Sequence, residues 1–228
     1  MNSWDESYKR KDNYLFYPHE EIIRFFNKYL VKRLDVDEYK FHHGYNKGDK
    51  LLDLGCGVGR HLTYGLDMKF DVHGIDLSEN AIVKAKEVIR SHKNFISDEN
   101  VVSGSAADLP WEDNYFDVVV SHGVLDSMPF DVAKDAVKEV NRVIKDDGLF
   151  YCDLISGNEL NFFGEKEVTI EHEKGTIQSY FNLSKIEELI KGYFEIIECR
   201  VNETTFLIGD YHGEKKYGRY HIILKVIK

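Results

Sequence analysis

Ten consecutive residues constrain this chain more than any others: Leu51-Leu52-Asp53-Leu54-Gly55-Cys56-Gly57-Val58-Gly59-Arg60. A short apolar strand pattern runs into a turn with a glycine at every second position, and a helical pattern follows from Arg60. Glycines let a chain turn with positive φ and let a ligand approach the backbone with no Cβ in the way. The start of the next helix offers unpaired N–H groups and a positive partial charge to an anionic group. The dinucleotide fingerprint G-x-G-x-x-G is not met, because counting from Gly55 puts Arg60 where its third glycine should stand. The phosphate loop ending in Gly-Lys-Ser/Thr is missing too. The spacing here is G-x-G-x-G, preceded by Asp53.

The segments downstream alternate. Phe70 to Ile75 reads as a strand ending at Asp76, and Ser78 is placed to cap a helix carrying Ala81, Ile82, Ala85, Val88 and Ile89. Val101-Val102 and Phe116 to Val120 read as strands, the second continuous and apolar as in a strand covered on both faces. A helix is expected over about 131–145 with Ala133, Ala136, Val137, Val140 and Ile144 on one side; Asp146-Asp147-Gly148 then turns into a strand, Leu149 to Leu154. Strand and helix in alternation predict parallel strands with right-handed crossovers, a doubly wound α/β sheet.

The flanks differ. Pro18, two acids, and then Ile22, Ile23, Phe26, Tyr29, Leu30 and Leu34 predict an amphipathic helix before the sheet. After the sheet, Val168 to Ile170 and Thr176 to Tyr180 flank Lys174-Gly175 as a hairpin. Ser184 to Glu187 forms a capping box for a helix that stops at Gly192. Glu195 to Val201 and His221 to Ile227 are expected to pair antiparallel at a sheet edge.

Charge narrows the partners. Lys plus Arg number 30 against 40 Asp plus Glu, a formal charge of −10, whereas phosphate backbones and anionic membranes call for a basic surface. No apolar run approaches the roughly 20 residues of a membrane span, and no secretory signal is expected. The 3 cysteines lack metal-type spacing, and His42-His43 has no third ligand near it, so no metal is expected. With 228 residues, the expectation is a single cytoplasmic domain, monomeric or homodimeric.

Asp53 to Gly59 resembles motif I of class I S-adenosylmethionine-dependent methyltransferases, an acid followed by G-x-G-x-G. The similarity continues in order through Gly74 to Ser78, Gly104 to Trp111, Phe116 to Val120 and Glu139 to Gly148. It implies a Rossmann-like, mostly parallel seven-stranded sheet with an antiparallel last strand, under an N-terminal helical lid. The expected division is 1–45 for lid and helix, 46–155 for the cofactor core and 156–228 for the acceptor-side hairpin and closing strands.

By the same resemblance Gly55, Cys56, Gly57 and Gly59 pass under the methionine part of the cofactor, and Asp53 helps order that loop and the ammonium group. Asp76 accepts from the ribose hydroxyls, with Leu77 beside it; one carboxylate offers two acceptor oxygens to a vicinal diol. A nicotinamide enzyme would also place an acid there, so Asp76 alone does not discriminate. Relatives often have an acid right after the glycine of the third segment, where this chain has Ser105. Adenine would then be read by the Ser105 hydroxyl, by backbone near Ala106 and Ala107, or by Asp108. The segment after the fourth strand, with Ser121, His122 and Asp126, would lie beside the transferable methyl. His122 or Asp126 would serve as a base there, or else pack or cap locally. Trp4, Tyr8, Tyr14, Phe16 and Tyr17 crowd the opening segment as aromatics of a lid, with Tyr14 and Tyr17 expected over the cofactor and Phe16 in packing; Phe162 to Phe181 would cover the acceptor, and Tyr211 to Tyr220 would be a solvated loop.

The function implied is methyl transfer from S-adenosylmethionine to O or N of a small molecule by in-line displacement. A nicotinamide reductase is disfavoured by Arg60. A silent cofactor-binding or regulatory protein, and a methyltransferase acting on a macromolecule, are the alternatives.

Overall fold

The computed structural model describes residues 3–95, 97–169, 173–208 and 213–227. In chain order the elements begin with α1 (Ser3–Arg10), α2 (Glu20–Phe25) continuing as a π-turn (Phe26–Leu30), and a small hairpin of β1 (Val31–Arg33) and β2 (Tyr39–Phe41). The alternating unit follows: β3 (Lys50–Leu54), α3 (Arg60–Asp67), β4 (Asp71–Asp76), α4 (Glu79–Arg90), β5 (Val101–Ser103), β6 (Phe116–Ser121), α5 (Phe130–Val143) and β7 (Ile144–Ile155). The remainder holds β8 (Glu165–Glu167), β9 (Ile177–Ser179), α6 (Leu183–Ile190), β10 (Phe194–Ile208) and β11 (Gly213–Val226).

Seven strands form one sheet in the order β10-β11-β7-β6-β3-β4-β5. The five strands from β7 to β5 are parallel, and the last strand, β11, runs antiparallel to both of its neighbours. This is the doubly wound sheet with a reversed last strand that the alternation and the resemblance predict. Both faces are buried, and the period of two divides them. Leu52 and Val119 pack with Ala133, Val137, Val140, Ile186 and Leu189 of α5 and α6. Leu51, Val118 and Val120 pack on the other side with Ile22, Phe25, Leu62, Ala85 and Ile89 of α2, α3 and α4. Strands buried on both faces need apolar residues at every position, which is why Val118 to Val120 read as continuous.

Several local expectations shift. The helix after Pro18 is capped by His19, whose Nδ1 accepts from the Glu21 N–H, and it ends in the π-turn, so Leu34 lies beyond β1. Asp146 to Gly148 belongs to β7 instead of a turn, and α5 passes straight into it. The register slips between Phe116 and Val118 at that point, and a Cβ on Gly148 would meet the Asp117 carbonyl at 3.0 Å, so glycine lets the two strands close up. Helix α6 starts at Leu183 under Asn182, whose Oδ1 accepts from the Lys185 N–H at 2.9 Å, not under Ser184. The hairpin forms as β8 and β9, with Val168 bonded across the turn to Thr176; Ile170 lies outside the described residues. Tyr217 to Tyr220 are part of β11 and not a loop, whereas Tyr211 and the side chains of Lys215 and Lys216 lie outside the description.

Candidate active site

A cavity of about 540 Å³ opens at the C-terminal ends of β3, β4 and β6, where a parallel sheet presents its connecting loops. Its floor is the glycine turn. Gly55, Gly57 and Gly59 have φ of +71°, +52° and +88°, so the turn needs left-handed backbone three times. A Cβ at Gly55 would fall inside the Val124 side chain, and one at Gly57 would sit 2.6 Å from the Tyr8 hydroxyl. The Gly55 and Cys56 N–H groups donate to the Ile75 carbonyl at 2.8 and 3.0 Å. The Gly57 N–H donates to Asp76 Oδ2 at 2.8 Å, and Ser78 N–H donates to Asp76 Oδ1 at 2.9 Å. Asp76 stands at the end of β4, buried, and burial raises its carboxyl to about 6 against the opposing pull of those two N–H donors. Each oxygen keeps a lone pair for a further donor from the cavity.

Asp53 is placed differently from expectation. It is 1% exposed, stands off the cavity wall, and neither of its oxygens is hydrogen-bonded among the described residues. His61 Nδ1, at 3.6 Å, faces it. The hydrogen bond that orders the loop comes from Asp76, and Asp53 acts only as buried negative charge beneath.

The roof is α1. Asp5 Oδ1 accepts from Asn80 N–H at 3.1 Å and from the Ser78 hydroxyl at 2.8 Å, tying α1 to the start of α4; the Asn80 and Ser78 bonds hold the Asp5 carboxyl below its ordinary value. Trp4 and Tyr8, four apart on this helix, line the cavity together with Leu15. Tyr14 and Tyr17 do not. Tyr14 packs edge-on to Phe16 at 6.0 Å, and Tyr17 is 87% exposed, so of the aromatic opening segment Trp4 and Tyr8 reach the cavity. The one-turn spacing of Trp4 and Tyr8 is the signal that would have identified them.

Neither proposed base is available as one. Arg60 Nη2 donates to His122 Nδ1 at 3.1 Å, while His122 Nε2 faces Asp153 Oδ2 at 3.3 Å. Burial pulls His122 down to about 2, so the ring is neutral, with Nδ1 engaged by Arg60 and Nε2 without a hydrogen-bond partner among the described residues. Asp126 is fully buried behind the wall, with Oδ2 accepting from Ile155 N–H at 2.9 Å and paired with Arg219 at 3.0 Å. Burial raises Asp126 to about 6. Asp153 is also pushed up by burial, but the charge of Arg219 outweighs that and leaves it below the ordinary range. Asp126 is therefore corrected from candidate base to part of an ion triad, Asp126–Arg219–Asp153, under the site.

On the opposite wall, Leu77, Gly104, Ser105 and Ala106 face the cavity. Ser105 Oγ accepts from Ala107 N–H, and Asp108 N–H bonds back to the Ser105 carbonyl, so Asp108 is exposed in a turn and, with Ala107, off the wall. Ser121 is buried off the wall as well, its hydroxyl without a partner among the described residues. Cys56 does line the cavity, its thiol pushed well up by burial and thus unsuited to nucleophilic attack.

The methyltransferase domain family matches residues 52–152. Residues 52–152 are a class I methyltransferase domain. The S-adenosylmethionine-dependent methyltransferase of Methanosarcina mazei superposes with a TM-score of 0.63 at 25% identity, over 79% of this chain and 93% of that one. A demethylmenaquinone methyltransferase of Staphylococcus aureus is 38% identical over 112 residues, 48% of this chain and 44% of the relative. An uncharacterized protein of Haemophilus influenzae is 35% identical over 109 residues, 46% of this chain and 42% of the relative. The matched part thus spans less than half the length of these curated relatives.

The class uses S-adenosylmethionine, and the methyltransferase domain has residues that fit it. A glycine turn that no Cβ could share would take its chain and Asp76 would take its diol, while Asp53, without a hydrogen bond among the described residues, lies beneath with Arg60 as a nearby positive charge. The remaining wall of the cavity is mainly apolar: Val124, Met128, Pro129, Val132 and Ile177, with Glu173 and Thr176. Of the segment expected to cover the acceptor, residues 173 and 175–177 reach the cavity, while Phe181 is buried against Phe130. Among the described residues, no group of three or more His, Cys, Asp and Glu is arranged to hold a metal, and no helix is long and apolar enough to cross a membrane.

Proposed function

We propose that this protein transfers the methyl group of S-adenosylmethionine to O or N of a small, largely apolar acceptor by in-line displacement inside the cavity. The observation that carries this reading is the Gly57–Asp76 hydrogen bond, which joins the G-x-G-x-G turn to the end of β4 under a cavity roofed by α1. The cofactor supplies an electrophilic methyl on a sulfonium. The chain's part is to hold and align: Asp76 fixes one end, the glycine turn lies close beneath, and α1 excludes water. The apolar wall of Val124, Met128, Pro129, Val132 and Ile177 suits an acceptor with little charge, and the demethylmenaquinone methyltransferase among the relatives points to a small molecule. With His122 and Asp126 engaged elsewhere, rate enhancement rests on proximity and desolvation: the acceptor O or N attacks the methyl carbon with its lone pair, the methyl–sulfur bond breaks to leave the thioether, and the proton of the O–H or N–H passes to solvent.

The test is transfer of radiolabelled methyl from S-adenosylmethionine to fractionated small-molecule extract. Label appearing in an apolar small-molecule fraction supports the reading. Label confined to protein or nucleic acid contradicts the small acceptor, and cofactor binding with no transfer to any fraction favours a regulatory protein.

A further inference from the structure

We infer that His19 is a proton-sensitive latch for the roof of the cavity: its neutral ring holds the connector between α1 and α2 in place, and protonation in mild acid releases that connector. The device belongs to the ligand-free protein and stands whether or not the cavity takes S-adenosylmethionine.

Residues 11–18 link the roof to the body of the protein. Asn13 and Leu15 of this connector lie on the cavity wall, and Asn13 Nδ2 donates to Ser7 Oγ of α1 at 2.7 Å, which ties connector and roof together. His19 holds the far end. Its Nδ1 accepts from the Glu21 N–H at 3.2 Å and so caps α2, while its own N–H donates to His61 Nε2 on α3 at 3.4 Å. Its ring packs 4.0 Å from that of His122, just past β6, and 6.0 Å from that of His221 on β11. Three rings at this junction thus act as acceptors: His19 Nδ1 for Glu21, His61 Nε2 for His19, and His122 Nδ1 for Arg60. An imidazolium has two donors and no acceptor, so each bond exists only while its ring is neutral.

A proton on His19 Nδ1 replaces the cap acceptor with a donor aimed at another donor, the Glu21 N–H. It also sets a positive charge against two histidine rings. The groups that face His19 are Arg60 and His61 from α3, His122 past β6, Asp153 from β7 and His221 from β11, with Glu20 on its own helix. The acids nearby are already paired or in water: Asp153 with Arg219, Glu21 with Arg200 and Asn202, and Glu20 exposed. Burial holds His19 below its ordinary 6.5, and Arg60 and His61 add to that against the opposing pull of Asp153 and Glu20. The released connector, with His19 in water, therefore takes up a proton near 6.5 that the latched form refuses. The latch is complete above that pH and weakens by about tenfold for each pH unit below it.

The experiment is hydrogen exchange of the ligand-free full chain at about pH 7.5 and about pH 5.5, corrected for intrinsic rates, in the wild type and in His19→Asn. Asparagine caps helices as well but takes up no proton in this range. Protection of residues 11–23 should fall on the order of tenfold between the two pH values in the wild type and stay within about twofold in His19→Asn. An equal fall in both proteins, or no fall in the wild type, overturns the latch. A second readout needs no variant: in an NMR titration of the wild-type histidine rings, His19 should titrate below 6.5, and a value at or above 6.5 overturns the latch as well.

Discussion

The Gly57 N–H donates to Asp76 Oδ2 at 2.8 Å, and this bond joins the turn after β3 to the end of β4. Asp76→Ala removes the acceptor for both the Gly57 and Ser78 N–H groups and for a ligand diol. It should weaken S-adenosylhomocysteine binding by about 1–3 kcal/mol, read by calorimetry. Unchanged affinity would remove Asp76 from the site.

Asp76 also sets a pH dependence. Its folded-state value of about 6 exceeds the ordinary 3.8, so between those values the folded protein binds more protons than the unfolded one, and the contribution of this group to stability falls as pH rises through that window. Hydroxyl donors from a ligand favour the ionised form, so ligand affinity should rise as pH increases through about 6, with one proton released. Asp76→Asn should flatten that dependence; a slope that persists in the variant assigns it to another group.

The roof makes a separate prediction. Asp5→Ala removes two hydrogen bonds between α1 and α4 and should favour opening of α1 by about 1 kcal/mol. Hydrogen exchange should accelerate in residues 3–10 and ligand affinity should drop, while Tyr14→Ala and Tyr17→Ala leave affinity within about twofold. Loss of binding in Tyr17→Ala, with Asp5→Ala unaffected, would return the lid to the later aromatics.

His122 is neutral well below neutrality, with burial bringing it to about 2. The kcat profile should therefore show no limb near the ordinary histidine range that disappears in His122→Asn, and that variant should raise the cofactor KM more than it lowers kcat. A limb near 6.5 abolished by the substitution would restore His122 as a base.

The ion triad predicts a stability effect. Arg219→Met leaves Asp126 and Asp153 buried and unpaired, which should destabilise the fold by about 3–5 kcal/mol, read from the urea midpoint. A shift below 1 kcal/mol, on the order of a surface substitution, would mean that the pairing contributes little.

The cradle and the parallel sheet were legible because their signals are local. Glycine spacing fixes Gly55, Gly57 and Gly59, the end of an apolar run fixes Asp76, and a double-buried strand announces itself in Val118 to Val120. Asp126 and His122 stayed open between base and local packing because their partners are remote. Motif position says which loop carries a side chain, but its direction depends on Arg219 and Asp153, brought together only by the pairing of β11 with β7. Tyr17 illustrates a different limit: aromatic density near a terminus says that something is covered, whereas the helical phase of Trp4 and Tyr8 says by which residues. The direct run of α5 into β7 escaped because Asp146-Asp147-Gly148 has turn composition, and only the close approach to Asp117 gives that glycine another reason.

The central claim, that the turn after β3 cradles an adenosyl sulfur compound, is tested most directly by calorimetric titration of the wild-type chain with S-adenosylhomocysteine and, separately, with NADH. One equivalent of S-adenosylhomocysteine should bind and NADH should neither bind nor compete. Heat from NADH alone, displaced by nothing adenosyl-sulfur in kind, would contradict the account.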